Sequence, residues 1–244
     1  MNKVSFLSAI SLVFSCQAAI ADTTSTYYKS GFYTGIEAGY GDTHYTSAEL
    51  LSEAQTAFAA QLGGNSTGIF TSGDVNSVGT SGRLFGGYQF TPNFALEMGY
   101  IQFNKTDFSG YGHIVNTTGY GSVTDQVYDG ELTQKAIDLV AKLTLPLHYG
   151  FGVFFKGGVA YVSADRHINF TQDYFDNLSR THSYTQNTLF TKTYQAVRPT
   201  YGAGIDYTIP NTLVDLSLGY SEILGGGGIS KASLATLGIS VKFG

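Results

Sequence analysis

The sequence predicts an all-β protein, an eight-stranded antiparallel up-and-down transmembrane β-barrel. Three observations predict this fold. Only 13% of the residues are charged, while the chain contains 31 glycines, 18 tyrosines and 17 phenylalanines, and soluble domains average about 25% charged residues. Eight segments alternate apolar residues with polar or small ones, as strands do when only one face meets an apolar phase. Three of the 4 prolines fall between consecutive segments, where a barrel needs turns.

Each of the eight segments presents one face without a charged residue, which is the face that lipid requires in a membrane barrel. A soluble ligand-binding barrel would show the reverse, with apolar residues inside and polar residues outside. The segments are residues 32–40, 83–90, 94–100, 137–145, 151–161, 197–207, 214–220 and 235–243.

The opposite faces of the same segments carry five acids and five bases. An eight-stranded barrel is filled by its own side chains, and buried charges have to be paired. We therefore predict an interior charge network that has a structural role; a small gated pore, in which the charges exchange partners, is the alternative. Its members are Glu37, Arg83, Glu97, Asp138, Lys142, Lys156, Arg198, Asp206, Asp215 and Lys242.

The connections between segments alternate in length, which is the asymmetry of outer-membrane barrels. Pro92, Pro146 and Pro210 mark three short turns. The other connections are predicted as long polar loops at about 42–79, 104–130 and 164–194, with a short glycine-rich loop at 225–228. Residues 47–62 have helical spacing, preceded by Thr46, and predict a short surface helix. Pro199 lies inside a predicted strand, where it requires a bulge or a position near the extracellular rim.

The first residues have the order of a secretory signal peptide. Lys3 supplies a positive charge, residues 4–14 are largely apolar, and residues 19–21 form a small-residue cleavage site. The apolar run is too short for a membrane-spanning helix, which needs about 20 residues. We predict a signal peptide over 1–21, an N-terminal segment over 22–30 and the barrel over 31–244; acylation of Cys16, as in a lipoprotein, is the alternative.

Six stretches in these segments carry a family resemblance: GFYTGIEAGYG (31–41), GGYQFTP (86–92), FALEMGY (94–100), KLTLPL (142–147), RPTYGAGIDY (198–207) and ISVKF (239–243). They resemble the small outer-membrane β-barrel family that includes the OmpA transmembrane domain, OmpX and Ail. The resemblance implies a location in the bacterial outer membrane, loops exposed at the cell surface, and contact with the lipid bilayer and lipopolysaccharide. It also implies recognition of a terminal aromatic residue by the outer-membrane assembly machinery, a role that Phe243 would take.

Motifs for catalysis or cofactor binding are weak. Asp165-Arg166-His167 resembles the Asp-x-His pair of omptin proteases, but no second acidic pair accompanies it, and the His-x-Ser pattern of lipid A deacylases is missing. No residues recur at a metal-ligand spacing, and the glycines at 225–228 lack the ending of a phosphate-binding loop. The net charge of -5 disfavours nucleic acid. We predict no enzyme, no cofactor, no metal and no nucleic-acid partner.

The predicted loops mix aromatic residues with Ser, Thr, Asn and Gly, a composition typical of adaptable binding surfaces. We predict a structural surface protein with an adhesin or ligand-binding role toward a host or matrix ligand, and a small porin-like channel is the alternative function. A competing interpretation is that hairpin strands continue above the membrane and that these aromatics pack on one another or form an interfacial belt. The candidate binding residues are Tyr111, Tyr120, Tyr128, Phe170, Tyr174, Phe175 and Tyr184.

Overall fold

The computed structural model describes residues 30–48, 50, 52, 66–116, 123–176 and 181–243, and the side chains within these ranges except at 66–72, 112–128 and 170–190. A short 3-10 turn at His148–Gly150 precedes the sixth strand. The described strands are β1 (Gly31–Asp42), β2 (Ser66–Asn76), β3 (Val78–Thr91), β4 (Phe94–Asn116), β5 (Val123–Pro146), β6 (Phe151–Asp176), β7 (Thr181–Thr208), β8 (Val214–Ile223) and β9 (Ala232–Phe243).

These strands form one antiparallel sheet that closes on itself. The first strand, β1, pairs with β3 on one side and with β9 on the other, and the remaining strands pair with their chain neighbours. The additional strand, β2, pairs with the upper part of β4, while β3 pairs with its lower part. Eight strands therefore complete the ring, and β2 continues the second of them upward. The predicted eight-stranded barrel is confirmed.

The predicted apolar faces point outward. Phe32, Leu84 and Leu237 are 68%, 59% and 68% exposed. Large apolar side chains at outward positions of the other membrane strands are exposed as well. Exposed apolar side chains in such a continuous band are stable against lipid, and closure satisfies the backbone hydrogen bonds that lipid cannot. No helix in the described part of the chain is long and apolar enough to cross a membrane.

The three predicted short turns are present. Pro92 lies between β3 and β4, Pro146 is the last residue of β5, and Pro210 lies between β7 and β8. The backbone of Asn211 adopts a φ of 61°, a left-handed conformation that asparagine tolerates in turns. These turns lie at one end of the barrel and set the register of the strands on either side.

The prediction of long polar loops at 104–130 and 164–194 is wrong for most of their length, and the predicted loop at 42–79 contains β2. β4 continues to Asn116, β5 begins at Val123, β6 continues to Asp176 and β7 begins at Thr181. The four strands contain 23, 24, 26 and 28 residues, whereas crossing a membrane takes about 9–11. The alternation test missed these extensions because their outer face meets water and is therefore polar.

The extensions and β2 form a separate part of the sheet. We call it the projecting sheet; it contains β2 and residues 102–116, 123–135, 163–176 and 181–195. Its lowest rung joins Gln102, Lys135, Ser163 and Gln195. β8 contains only 10 residues, so one side of the barrel is much taller than the other.

Pro199 lies at the rim, as one of the two predicted possibilities required. Its carbonyl accepts a hydrogen bond from the Leu224 N–H at 3.0 Å, one residue beyond the end of β8. A residue directs its N–H and C=O to the same side of a strand, so the missing N–H of Pro199 faces the place where β8 has ended. The missing N–H of Pro199 therefore removes no hydrogen bond between β7 and β6, and the two strands pair in regular register at this position.

The predicted helix over 47–62 is described only at its beginning. Residues Ser47, Ala48, Leu50 and Ser52 are helical, and the Leu50 N–H donates to the Thr46 carbonyl at 3.3 Å. The rest of this segment lies outside the described residues, as do the predicted signal peptide and most of the N-terminal segment. Leu50 is 1% exposed, so the start of the helix packs into the protein.

Closure between β1 and β9 yields a testable prediction. A Cβ at Gly39 would overlap the Ala235 carbonyl oxygen and lie 2.8 Å from the Thr236 Cα. We expect Gly39→Val to destabilise the barrel by about 3 kcal/mol, measured by urea unfolding in lipid vesicles. The outward-facing Ala38→Val is the matched control and should leave stability unchanged. Equal stability of the two variants would contradict the close approach at this seam.

Candidate functional site

An ion-pair cluster fills the middle of the barrel and is centred on Arg83. The Arg83 Nε and Nη2 atoms donate to the two Asp138 carboxylate oxygens at 2.9 and 3.1 Å, and Nη1 donates to Glu97 at 3.1 Å and Glu37 at 3.4 Å. Lys156 Nζ lies 3.0 Å from both Glu37 and Glu97. Alternation places all five side chains on inward faces, and the barrel's curvature brings them together.

Aromatic side chains and a glycine complete this cluster. The Tyr33 hydroxyl donates to Glu97 at 2.9 Å, and the Lys156 ammonium lies 5.3 and 5.2 Å from the ring centroids of Phe85 and Phe154. Position 99 is glycine, and a Cβ there would lie 2.6 Å from Arg83 Nε. The guanidinium therefore occupies space that any other residue at position 99 would take.

The remaining predicted interior charges lie above and below this cluster. Lys142 pairs with Asp206 at 3.3 Å, and Lys242 pairs with Asp215 at 2.9 Å. Arg198 is at the extracellular end, against the backbone of the glycine-rich loop that follows β8. Within the described residues it has no carboxylate within 4.0 Å. The structure thus brings nine of the ten predicted residues into ion pairs and separates Arg198 from them.

An apolar cluster occupies the interior above the ion pairs. Its buried members come from β4, β5, β6, β8, β9 and the glycine-rich loop, which contributes Ile229. Arg166 Nη2 donates to the Gly228 carbonyl at 2.5 Å, with its guanidinium 5.0 and 4.5 Å from the rings of Tyr45 and Tyr194. A cavity of about 20 Å³ beside Arg83 and Lys156 has room for roughly one water molecule.

Charged side chains in the described part of the projecting sheet's outer face form ion pairs with one another. Lys105 pairs with Glu131, and the hydrogen bond and negative charge of Glu131 raise the pKa of the Lys105 ammonium group. Lys135 lies 3.6 Å from Asp165. The outward face below this region ends in Tyr100 and Tyr161, as expected where a lipid-facing surface meets the interface.

The Asp165-Arg166-His167 motif is not assembled as a catalytic pair. Asp165 accepts a hydrogen bond from the Thr193 hydroxyl at 2.7 Å, and His167 Nδ1 lies 2.8 Å from the Thr191 hydroxyl. Arg166 points to the opposite face, toward the interior. Within the described residues, no group of three or more His, Cys, Asp or Glu side chains is arranged to hold a metal ion.

The predicted aromatic binding residues lie in strands of the projecting sheet. Tyr111 is in β4 and is 59% exposed. Tyr128 pairs with Phe170, and Tyr184 pairs with Asp173. Tyr174 and Phe175 belong to β6, and Tyr120 lies outside the described residues. The ladder thus spaces these residues along two hairpins.

One edge of the projecting sheet is open. The backbone groups of Thr191, Thr193, Gln195 and Val197 point to the same side as those of Pro199, the side on which β8 has already ended. No backbone partner for them occurs among the described residues, and all four residues are exposed. We call residues 191–197 the open edge.

A second polar group, at the short side of the barrel, was missed by the sequence reasoning. His44 lies between Asp42 and Ser233, with Nδ1 3.1 Å from the Asp42 carboxylate and Nε2 3.1 Å from the Ser233 hydroxyl. Next to Ser233 in the ladder is Glu222, which accepts a hydrogen bond from the Tyr201 hydroxyl at 2.8 Å. The only sequence signal was a second Asp-x-His spacing, at 42–44.

Comparison with known proteins agrees with this architecture. A sequence profile described as the OmpA-like transmembrane domain matches residues 28–244. The chain belongs to the OmpA-like transmembrane domain family. It is also 30% identical over 237 residues to an uncharacterized protein of Coxiella burnetii (strain RSA 493 / Nine Mile phase I), covering 88% of this chain and 86% of that protein.

Two solved structures are similar over most of the chain. Neisserial surface protein A (NspA) is 13% identical with a TM-score of 0.41, covering 88% of this chain and 100% of NspA. Ail, the attachment invasion locus protein of Yersinia pestis, solved in complex with the heparin analogue sucrose octasulfate, is 10% identical with a TM-score of 0.43 and the same coverage.

Family membership and the outward apolar band give the location. The protein is an OmpA-like barrel of the bacterial outer membrane, and its outward side chains contact the lipid bilayer. The three proline-marked turns are at the periplasmic end, because outer-membrane barrels have short turns on that side and long connections outside. The projecting sheet, the open edge and the Asp42–His44–Ser233 group therefore lie at the cell-surface end.

The central ion pairs generate a prediction about stability. Arg83→Met removes the only cation that contacts Asp138 among the described residues and leaves Glu37 and Glu97 with Lys156, and an uncompensated buried charge costs about 3–5 kcal/mol. We expect that loss in the free energy of unfolding, measured by urea titration in lipid vesicles. Lys242→Met is the matched control: the side chains of Lys242 and Asp215 are 34% and 16% exposed, and pairs near solvent contribute about 0–1 kcal/mol. Similar losses in both variants would contradict a central role for Arg83.

Proposed function

We propose that this OmpA-like barrel is a structural surface protein that binds a host or matrix ligand through its projecting sheet. The observation that carries the proposal is the length of β4 to β7, which continue far beyond the membrane band as a paired sheet. A sheet of this kind holds side chains and backbone groups in fixed positions outside the cell, whereas flexible loops lose more conformational entropy on binding.

The open edge is the part of this sheet best suited to bind a protein. The N–H and C=O groups of Thr191, Thr193, Gln195 and Val197, which have no backbone partner among the described residues, form a template onto which an extended segment can add as a further strand. Edge strands are commonly protected by prolines, charges or bulges. Residues 191–197 contain one charge, Lys192, and no proline, while β2 at the other edge carries a register shift between Ser72 and Val75.

Geometry favours a ligand from outside over a second copy of the chain. Two copies in one membrane have the same orientation, so their β7 strands run in the same direction and their open edges can meet only as parallel strands. Parallel pairing is slightly less stable per residue. A segment from a soluble or host-surface protein has no such restriction and can add in the antiparallel sense.

A proline substitution tests the open edge. Gln195→Pro removes an N–H that points away from β6, at a position with the same orientation as the native Pro199, so the β6–β7 ladder stays intact. We expect about a tenfold or greater loss of binding to host cells or extracellular-matrix proteins, because the ring blocks strand addition and removes a donor. Gln195→Thr retains the donor and should bind normally. Both variants should retain heat-modifiable gel mobility.

The aromatic tip of the β6–β7 hairpin can be removed in a separate test. Phe170 pairs with Asn187 at its base, so the strands below this pair can be joined by a short turn. Replacing residues 171–186 by Asn-Gly closes the shortened hairpin with a favoured two-residue turn. The replacement removes Tyr174, Phe175 and Tyr184 and keeps the open edge. Loss of binding here but not in Gln195→Pro would assign the ligand to the aromatics. Unchanged binding in both variants would contradict the surface-binding proposal.

Two further partners belong to the same proposal. The outward band contacts lipopolysaccharide in the outer leaflet, and the last strand is recognised by the assembly machinery through Phe243. Phe243 is 54% exposed on the outer surface and pairs with Phe32 of β1. An exposed aromatic at the end of the strand that closes the ring is available for recognition until closure has taken place.

A small channel is the alternative function, and the interior packing argues against it. The central ion pairs and the apolar cluster above them lie in series along the axis, so an ion would have to pass an apolar layer after displacing a paired charge. We expect no stable conductance from purified barrel in planar bilayers. Channels that disappear in Arg83→Met would contradict a sealed interior and favour the pore.

A further inference from the structure

The geometry at the short side of the barrel points to a second activity. We propose that Ser233, His44 and Asp42 form a nucleophilic centre that hydrolyses acyl esters of membrane lipids. Ser233 Oγ lies 3.1 Å from His44 Nε2, and His44 Nδ1 lies 3.1 Å from Asp42 Oδ2. A nucleophile within hydrogen-bond reach of a base, itself oriented by a third group, is the arrangement by which serine hydrolases are recognised, independently of fold or chain order.

The imidazole is held in this position by its backbone. Asp42 Oδ1 accepts hydrogen bonds from the His44 N–H and the Ser77 hydroxyl, each at 2.8 Å, and the Ser230 hydroxyl donates to the His44 carbonyl at 3.0 Å. His44 has a φ of 46°, a left-handed conformation that few non-glycine residues adopt and that is common at functional sites. Two of these bonds fix the strained backbone of His44, and the third holds the Asp42 carboxylate, so that the two ring nitrogens of His44 meet a carboxylate and a hydroxyl.

The position of the centre indicates its substrate. Asp42, Ser233 and Glu222 form one outward-facing rung of β1, β9 and β8. The outward rung directly below contains Tyr40 and Tyr220, which are 70% and 47% exposed. Tyrosines in this position mark the interface between hydrocarbon and headgroups, so the next rung faces the headgroup level, where the ester bonds of membrane lipids lie.

A cation and a carboxylate lie beside the nucleophile. Lys231 Nζ is 3.4 Å from Glu222, which also accepts a hydrogen bond from the Tyr220 hydroxyl at 3.2 Å. Lys231 is exposed and brings a positive charge to the rung on which a lipid phosphate or a developing oxyanion would lie. Ser233 is 8% exposed, so the ester has to approach from the side of Lys231, whose side chain is 45% exposed, while His44 stays in place.

The reaction is acyl transfer in two balanced steps. With its ring proton on Nδ1, toward Asp42, His44 accepts the Ser233 proton at Nε2 while Oγ forms a bond to the ester carbonyl carbon. The carbon–alkoxide bond then breaks, and His44 returns the proton to the leaving alcohol. Water attacks the acyl-serine by the same route, which releases the fatty acid and restores Ser233. The net reaction consumes one ester and one water and yields one acid and one alcohol.

Refolded full-length mature protein tests this proposal with two substrates. Fatty-acid release is measured from phosphatidylethanolamine vesicles and from lipopolysaccharide, and labelling by a fluorophosphonate probe is mapped by mass spectrometry. We expect release together with a label on Ser233. Ser233→Ala should lower release by about 10³-fold or more, and Asp42→Asn by about 10²- to 10⁴-fold. Ser163→Ala, at an outward-facing serine on the lowest rung of the projecting sheet, is the matched control and should retain full activity.

Each outcome decides the proposal. Release lost in Ser233→Ala and retained in Ser163→Ala supports it, and the more rapidly cleaved lipid identifies the source of the ester. Correctly folded protein that releases no fatty acid from either lipid and carries no label overturns it. Release that persists in Ser233→Ala also overturns it. If the unmodified protein has no lipase activity and Ser233→Ala is less stable, the proposal is also overturned. The three residues would then have only a structural role, holding the segment that follows β1 against β9.

Discussion

The structure depends on one constraint, which is that every backbone polar group inside the hydrocarbon layer has to be bonded within the protein. The pairing of β1 with β9 meets this constraint by closing the ring. Closure then determines where everything else lies. The outward face has to be uncharged, so charged side chains are confined to a narrow interior, where they have to find partners. Arg83, Lys156 and the carboxylates around them are a consequence of that confinement.

The same constraint explains how far the sequence predicted the fold. Lipid imposes a strict alternation on residues such as 137–145, and this made the eight segments visible without any other information. Pro92, Pro146 and Pro210 marked the turns because proline is excluded from the central strands of a closed ladder. Above the membrane the constraint ends. Residues 123–135 and 163–176 are strands, and the exposed positions described in them, such as Glu131, Lys135 and Asp165, are polar, so their pattern was indistinguishable from that of a loop.

The candidate sites were predictable to different degrees. Alternation alone predicts that the side chains of Glu97 and Lys142 face the barrel interior. Their ion-pair partners depend on the stagger between strands, which no local sequence pattern encodes. Arg198 shows the difference, since alternation places it correctly inside while its guanidinium lies against Gly226 and Gly227 of the glycine-rich loop. His44 and Ser233 are 189 residues apart in the chain. Only closure of the ring brings them within a hydrogen bond.

Both surface features outside the barrel core follow from the unequal heights of its two sides. β7 has 28 residues and its neighbour β8 has 10, so β8 ends beside Pro199. In the described part of the chain, no other strand pairs with this side of β7 above that point. On the short side, β8, β9 and β1 end at the level of the lipid headgroups, which places Asp42, Ser233 and Glu222 on the last outward-facing rung there. A barrel of uniform height would offer neither a free edge to proteins nor a polar rung to lipids. The asymmetry thus separates a protein-facing surface from a lipid-facing one, while the packed interior serves both as a rigid support.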